Sequence, residues 1–120
     1  MKTTITVAAT FAAAHLLPDH EGKCSRLHGH TYGLEVTVEG TPQTSGPAAG
    51  MVMDFADLRA RVTEAIIEPL DHQLLNDLFV FAPTAEAMAE WAFERLREAG
   101  LSVVKVRLAE GPNSYVEVTA

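Results

Sequence analysis

At 120 residues, with 48% hydrophobic and 21% charged, the chain is sized and composed for one folded domain around a single core, not for a disordered segment. A net charge of −7 argues against non-specific nucleic-acid binding, which needs a basic surface, and means that an anionic substrate would require a local basic patch. No apolar run approaches a membrane span, the first residues lack a signal-peptide pattern, and the lone cysteine has no partner for an intramolecular disulfide, so a reducing cytoplasm is the expected setting.

In chain order the pattern reads β-β-α-α-β-β. From Thr3 to His15 it alternates, placing Ile5, Val7, Ala9, Phe11, Ala13 and His15 on one face of a strand. A loop from Leu16 to Leu27 carries Pro18, His20, Gly22 and Cys24, with His20 reading as a solvated loop residue. From His28 to Gly40 a second alternation puts His28, His30, Tyr32, Leu34, Val36 and Val38 inward, with Glu35, Thr37 and Glu39 outward. After a Pro/Gly-rich connection from Gly40 to Gly50, Asp54 reads as the cap of a helix with Phe55, Leu58, Val62 and Ile66 as its apolar stripe and Pro69 as its limit. Thr84 caps a second helix that buries Met88, Ala92, Leu96 and Ala99 and ends at Gly100. Leu101–Glu110 and Tyr115–Thr119 read as two strands about a turn at Gly111-Pro112-Asn113, with Glu110 in phase with Val104, Val106 and Leu108.

Parity turns these strands into a functional statement. His15, His28 and His30 fall on faces that otherwise pack apolar, which is costly unless each ring has a partner. Strands one and two read as a hairpin, so the end of the first and the start of the second share one sheet edge. Any single histidine there is read most simply as a hydrogen-bonded core residue. Three in phase are better explained by a shared metal, and three nitrogens leave one tetrahedral position open, the pattern of a catalytic zinc.

Cys24 lies in the loop between these residues, flanked by Lys23 and Arg26. Neighbouring cations and a divalent metal favour thiolate, a form able to remove a proton from a bound substrate. The rival reading makes its sulfur a fourth ligand that closes a structural site. Between the helices stands Asp71-His72. The residue types would suit a Cys24-His72-Asp71 triad, but adjacent side chains point in different directions in regular structure, so a direct Asp71–His72 bond is not assured. Alone, the pair reads more readily as a helix cap beside a surface histidine than as a catalytic dyad.

Taken together, the motifs resemble the 6-pyruvoyl-tetrahydropterin synthase / 6-carboxy-tetrahydropterin synthase family over essentially the whole chain. The resemblance runs through Phe11-Ala12-Ala13-Ala14-His15, Gly22-Lys23-Cys24-Ser25-Arg26-Leu27-His28-Gly29-His30, Met53-Asp54-Phe55, Asp71-His72-Gln73-Leu74-Leu75-Asn76, Pro83-Thr84-Ala85-Glu86 and Glu110. It implies an α+β T-fold: a four-stranded antiparallel sheet with two helices on one face, forming trimeric rings that stack into a homohexamer with active sites between subunits. It implies that His15, His28 and His30 bind zinc, that Cys24 is the catalytic acid or base, that Asp71 and His72 complete its triad, and that Glu110 grips the pterin. The implied substrate is 7,8-dihydroneopterin triphosphate. The short loop before His28-Gly29-His30 resembles the bacterial carboxy-forming branch, which releases acetaldehyde and feeds 7-deazaguanine and queuosine synthesis.

Lys23, Arg26, Lys105 and Arg107 are candidates for triphosphate contacts, and read equally as solvated surface charges. Cys24 stands where a folate-making branch typically has glutamate, and Thr31 and Gly111 depart from residues common in the family. A pyruvoyl-forming enzyme and a non-catalytic zinc- or pterin-binding module on the same fold are the alternatives.

Overall fold

A computed structural model describes residues 1–120. Its elements in order are β1 (Thr3–His15), β2 (His28–Gly40), α1 (Phe55–Val62), α2 (Glu68–Leu70), β3 (Gln73–Leu74), α3 (Leu75–Leu78), α4 (Ala85–Glu98), β4 (Val103–Gly111) and β5 (Ser114–Thr119). β1 and β2 pair antiparallel over their whole length, from Thr3 opposite Gly40 to His15 opposite His28. At about 3.3 Å per residue such a ribbon is roughly 40 Å long, which accounts for a molecule 54 Å by 25 Å by 25 Å.

The alternation in both long strands sorts their faces as expected. Val7, Phe11, Ala13, Tyr32, Leu34 and Val36 are buried under the helices, whereas Thr4, Thr6, Ala8 and Thr10 on the other face are exposed. Thr37 on that outer face is buried, and its hydroxyl lies 2.7 Å from that of Thr6.

The sheet order is β3-β1-β2-β4-β5. The expected four antiparallel strands are β1, β2, β4 and β5; the added fifth, β3, is two residues long and pairs parallel with β1, Gln73 beside Ala13 and Leu74 beside Ala14. A second departure lies at the start of β4. A bulge pairs Val38 with Val103 and Thr37 with Lys105, so Val103 enters the core where the alternation pointed to Val104. Past the bulge Val106 and Leu108 are buried and Glu110 follows in their phase, as expected.

Asp54 caps α1 by accepting from the Ala56 N–H at 2.7 Å. Leu58, Val62 and Ile66 are buried, but Phe55 is 55% exposed and does not belong to the stripe. Nor does Pro69 limit this helix. Residues Thr63–Ile67 wind as a π-helix, with the Glu68 N–H bonded to the Thr63 carbonyl, and α2 runs through Pro69 to Leu70. Pro69 has no N–H for the Ala65 carbonyl four residues back; Arg95 of α4 donates its Nε–H to that carbonyl instead, at 2.7 Å.

Thr84 caps α4, its hydroxyl accepting from the Ala87 N–H at 3.1 Å. Met88, Ala92 and Leu96 are buried, joined by Ala89 and Phe93. Ala99, expected on that face, is exposed at the helix end, and Gly100 follows with φ 91°, a left-handed conformation that closes helices and favours glycine. No helix is long and apolar enough to cross a membrane.

Candidate metal centre and its surroundings

His15 ends β1 directly opposite His28, which begins β2, and His30 projects two residues further along the same face. The ring centroids lie 4.5 Å (His15–His28), 4.9 Å (His28–His30) and 5.1 Å (His15–His30) apart. One nitrogen from each ring lies within 4.8 Å of the others. Strand pairing alone therefore assembles the trio that the sequence parity predicts.

Backbone carbonyls fix two of the three rings. His15 Nδ1 is 2.8 Å from the Pro83 carbonyl and His28 Nδ1 is 2.7 Å from that of Arg26. A carbonyl only accepts, so each Nδ1 donates its proton, and Nε2 is the nitrogen of each ring left to bind a metal. Pro83 is held by its own neighbourhood: Phe79 stacks on Phe81 at 4.6 Å and meets Trp91 of α4 edge-on at 5.0 Å, and Thr84 then opens α4. The buried Tyr32 hydroxyl lies 3.4 Å from His15 Nδ1, and burial, then the nearby Glu110 carboxylate, push its pKa upward, so it stays protonated.

Nε2 of His15 and Nε2 of His30 are buried without a hydrogen-bond partner. Burial lowers the His30 pKa below the ordinary histidine value, with His15 and His28 adding to the effect and Glu110 opposing it. Two buried imidazole nitrogens without a partner are costly in a folded protein. A divalent cation removes that cost. These three histidines can hold a metal ion, and an all-imidazole set suits zinc, copper, iron or nickel.

Cys24 lies in a short 3-10 turn, Lys23–Ser25, and lines a cavity of about 320 Å³ with Lys23, His28 and His30. The clustered ligand atoms are those of the three histidines, without the Cys24 sulfur. Glu110 Oε2 comes within 2.9 Å of His30 Nε2 but off the line of a hydrogen bond, which leaves that nitrogen unsatisfied and puts a carboxylate at the edge of the trio.

Asp71 and His72 do meet, contrary to the divergence expected of adjacent side chains: His72 Nδ1 is 2.9 Å from Asp71 Oδ2. The expectation assumed regular structure, and His72 has φ 60°. The pair is not in the Cys24 cavity. His72 lines a groove with Ala12, Ala14, His30, Thr31 and Gln73, so within one chain Cys24 and His72 line different cavities that meet at His30. The partners that sequence reading missed are the carbonyls of Arg26 and Pro83, which carry no side-chain signal, and Asn76, whose amide bonds the backbone of Leu16.

Residues 4–120 match the family described as 6-pyruvoyl tetrahydropterin synthase. The chain belongs to that family. A Synechocystis sp. protein named 6-carboxy-5,6,7,8-tetrahydropterin synthase is 49% identical over 77% of this chain and 73% of its own length. A Haemophilus influenzae protein of the same name is 37% identical over 90% of this chain and 92% of its own. The solved structure of Caenorhabditis elegans 6-pyruvoyl tetrahydropterin synthase superposes with a TM-score of 0.84 at 26% identity, covering 100% of this chain and 96% of that one. This member of the 6-pyruvoyl tetrahydropterin synthase family is thus an enzyme of tetrahydropterin-synthase type with the T-fold.

In this synthase-family chain the Asp71 carboxylate is held below the usual carboxylate pKa, first by the Ala12 N–H that it accepts at 2.9 Å and then by His72. A depressed native pKa stabilises the fold above the unfolded value near ~3.9 and loses that contribution as pH falls through the native value. Asp71→Asn is therefore expected to flatten the fall in Tm below about pH 4, in melts recorded from pH 2 to 7. A wild-type acid limb retained unchanged in the variant contradicts this.

Proposed function

We propose that this chain is a zinc-dependent lyase that converts 7,8-dihydroneopterin triphosphate and one water to 6-carboxy-5,6,7,8-tetrahydropterin, releasing acetaldehyde and triphosphate. The observation that carries the proposal is the trio of imidazoles, two with orphaned Nε2 atoms, of which His28 and His30 line the same cavity as Cys24. When bound there, zinc supplies Lewis-acid polarisation of the pterin side-chain hydroxyls. Glu110 grips the amino-pyrimidine edge, its two oxygens accepting parallel N–H bonds. Cys24 takes a proton from the side chain as general base, and His72, its Nδ1 turned to Asp71, has Nε2 free to give or take the second.

Cys24 and His72 act together when they come from different subunits. The outer sheet face carries exposed Thr4, Thr6, Ala8 and Thr10, and Leu27, Met51, Phe55, Leu78 and Val80 are exposed apolar residues. Association of the sheets into trimeric rings, two per hexamer, covers such surfaces. The unpaired thiol suits a reducing cytoplasm, and the product is a precursor of 7-deazaguanine compounds such as queuosine.

The nematode likeness favours a second reading, in which the product is 6-pyruvoyl tetrahydropterin. The higher identity to the Synechocystis protein favours the carboxy product. Incubating the zinc-loaded protein with 7,8-dihydroneopterin triphosphate and identifying products by mass separates them. The carboxy-pterin with stoichiometric acetaldehyde is expected. A pyruvoyl product selects the second reading, and no conversion at full zinc occupancy overturns both.

A further inference from the structure

We propose that Asn76 is a positioning residue that holds the metal ligand His15 and the Cys24 loop in fixed relation. Residues 71–76 run alongside the end of β1 and bond to it step by step. Asp71 Oδ1 accepts from the Ala12 N–H, the His72 N–H donates to the Ala12 carbonyl at 2.6 Å, and β3 then pairs with Ala13 and Ala14. At Leu75 the chain turns into α3, and its backbone can no longer serve as a strand. The Asn76 side chain takes over the pairing.

Its Oδ1 accepts from the Leu16 N–H at 3.0 Å and its Nδ2–H donates to the Leu16 carbonyl at 2.9 Å. The reversed amide would oppose donor to donor and acceptor to acceptor, so the pair of contacts fixes the orientation. Asn76 thereby reproduces one further step of the sheet beyond its last backbone pair.

Leu16 sits between two functional groups. His15 precedes it, with its ring anchored on Pro83; Leu17 follows, and its N–H donates to the Cys24 carbonyl at 2.8 Å. A change of backbone angle at Leu16 therefore moves the imidazole against the other two ligands and moves the cysteine loop against both. Sites of this kind tolerate displacements of only about 0.5 Å. A purely structural Asn76 would lower stability and leave the metal geometry of the folded protein intact, so stability alone does not decide the matter.

The inference rests on the metal site proposed above, and the test separates the two. Zinc affinity is measured by chelator competition and ligand geometry by the visible spectrum of the cobalt-substituted protein, for wild type, Asn76→Ala and Asp54→Ala. Asp54→Ala removes a helix cap away from the site and controls for lost stability. Asn76→Ala is expected to bind zinc about 10-fold more weakly or worse, with an altered cobalt spectrum, while Asp54→Ala keeps both at wild-type values. Unchanged affinity and spectrum in folded Asn76→Ala overturn the positioning role. So does an equal loss in Asp54→Ala. Should Asn76→Ala not fold, Asn76→Ser, whose hydroxyl is too short to span both groups of Leu16, is judged by the same outcomes. Wild-type protein that binds neither metal overturns the metal site itself.

Discussion

Cys24→Ala is expected to lower kcat by roughly 10²–10⁴-fold, the usual worth of a positioned acid or base, while zinc content and fold stay as in wild type. Cys24 is half-buried in a loop turn, outside the hydrophobic core, so truncating its side chain costs well under ~1 kcal/mol of stability. Its sulfur is absent from the nitrogen cluster, so its removal leaves the ligand set complete. Steady-state kinetics beside elemental analysis of the same preparation check both halves. Near-wild-type turnover removes the thiol from the chemistry, and loss of zinc along with the thiol makes it a ligand instead.

The two long strands were legible because one face of each is buried, and a period of two then sorts every side chain. That same rule carried the three histidines to one sheet edge, where pairing of His15 with His28 closes the group. Features that depend on distant compensation were not legible. The helix passes Pro69 through a π-helical turn, and Arg95, on another helix, donates to the carbonyl that the proline leaves open. The shift from Val104 to Val103 arises from a bulge, which is a property of the pairing of β4 with β2 and not of either strand alone. β3 is too short to show a pattern, yet it aligns the strap that carries Asp71, His72 and Asn76 along β1. The Asp71–His72 contact hinges on one left-handed residue that is not glycine. His72 and Cys24 line different cavities of the single chain; the proposed triad spans two.

His28→Ala is expected to lose most bound zinc on dialysis. Of the three imidazoles, His28 is the one whose Nε2 is not among the buried unpartnered nitrogens, and its Nδ1 bonds to the Arg26 carbonyl. Removing it leaves two imidazoles, and affinity falls by more than the roughly 10–100-fold that loss of a supporting partner costs. Turnover falls with zinc occupancy, and the fold persists because neither His15 nor the core is disturbed. Full occupancy in this variant removes His28 from the ligand set. The most direct measurement is X-ray absorption at the zinc edge of the wild-type protein. Three nitrogens and one oxygen near ~2.0–2.1 Å are predicted; a sulfur at about 2.3 Å contradicts an open catalytic site.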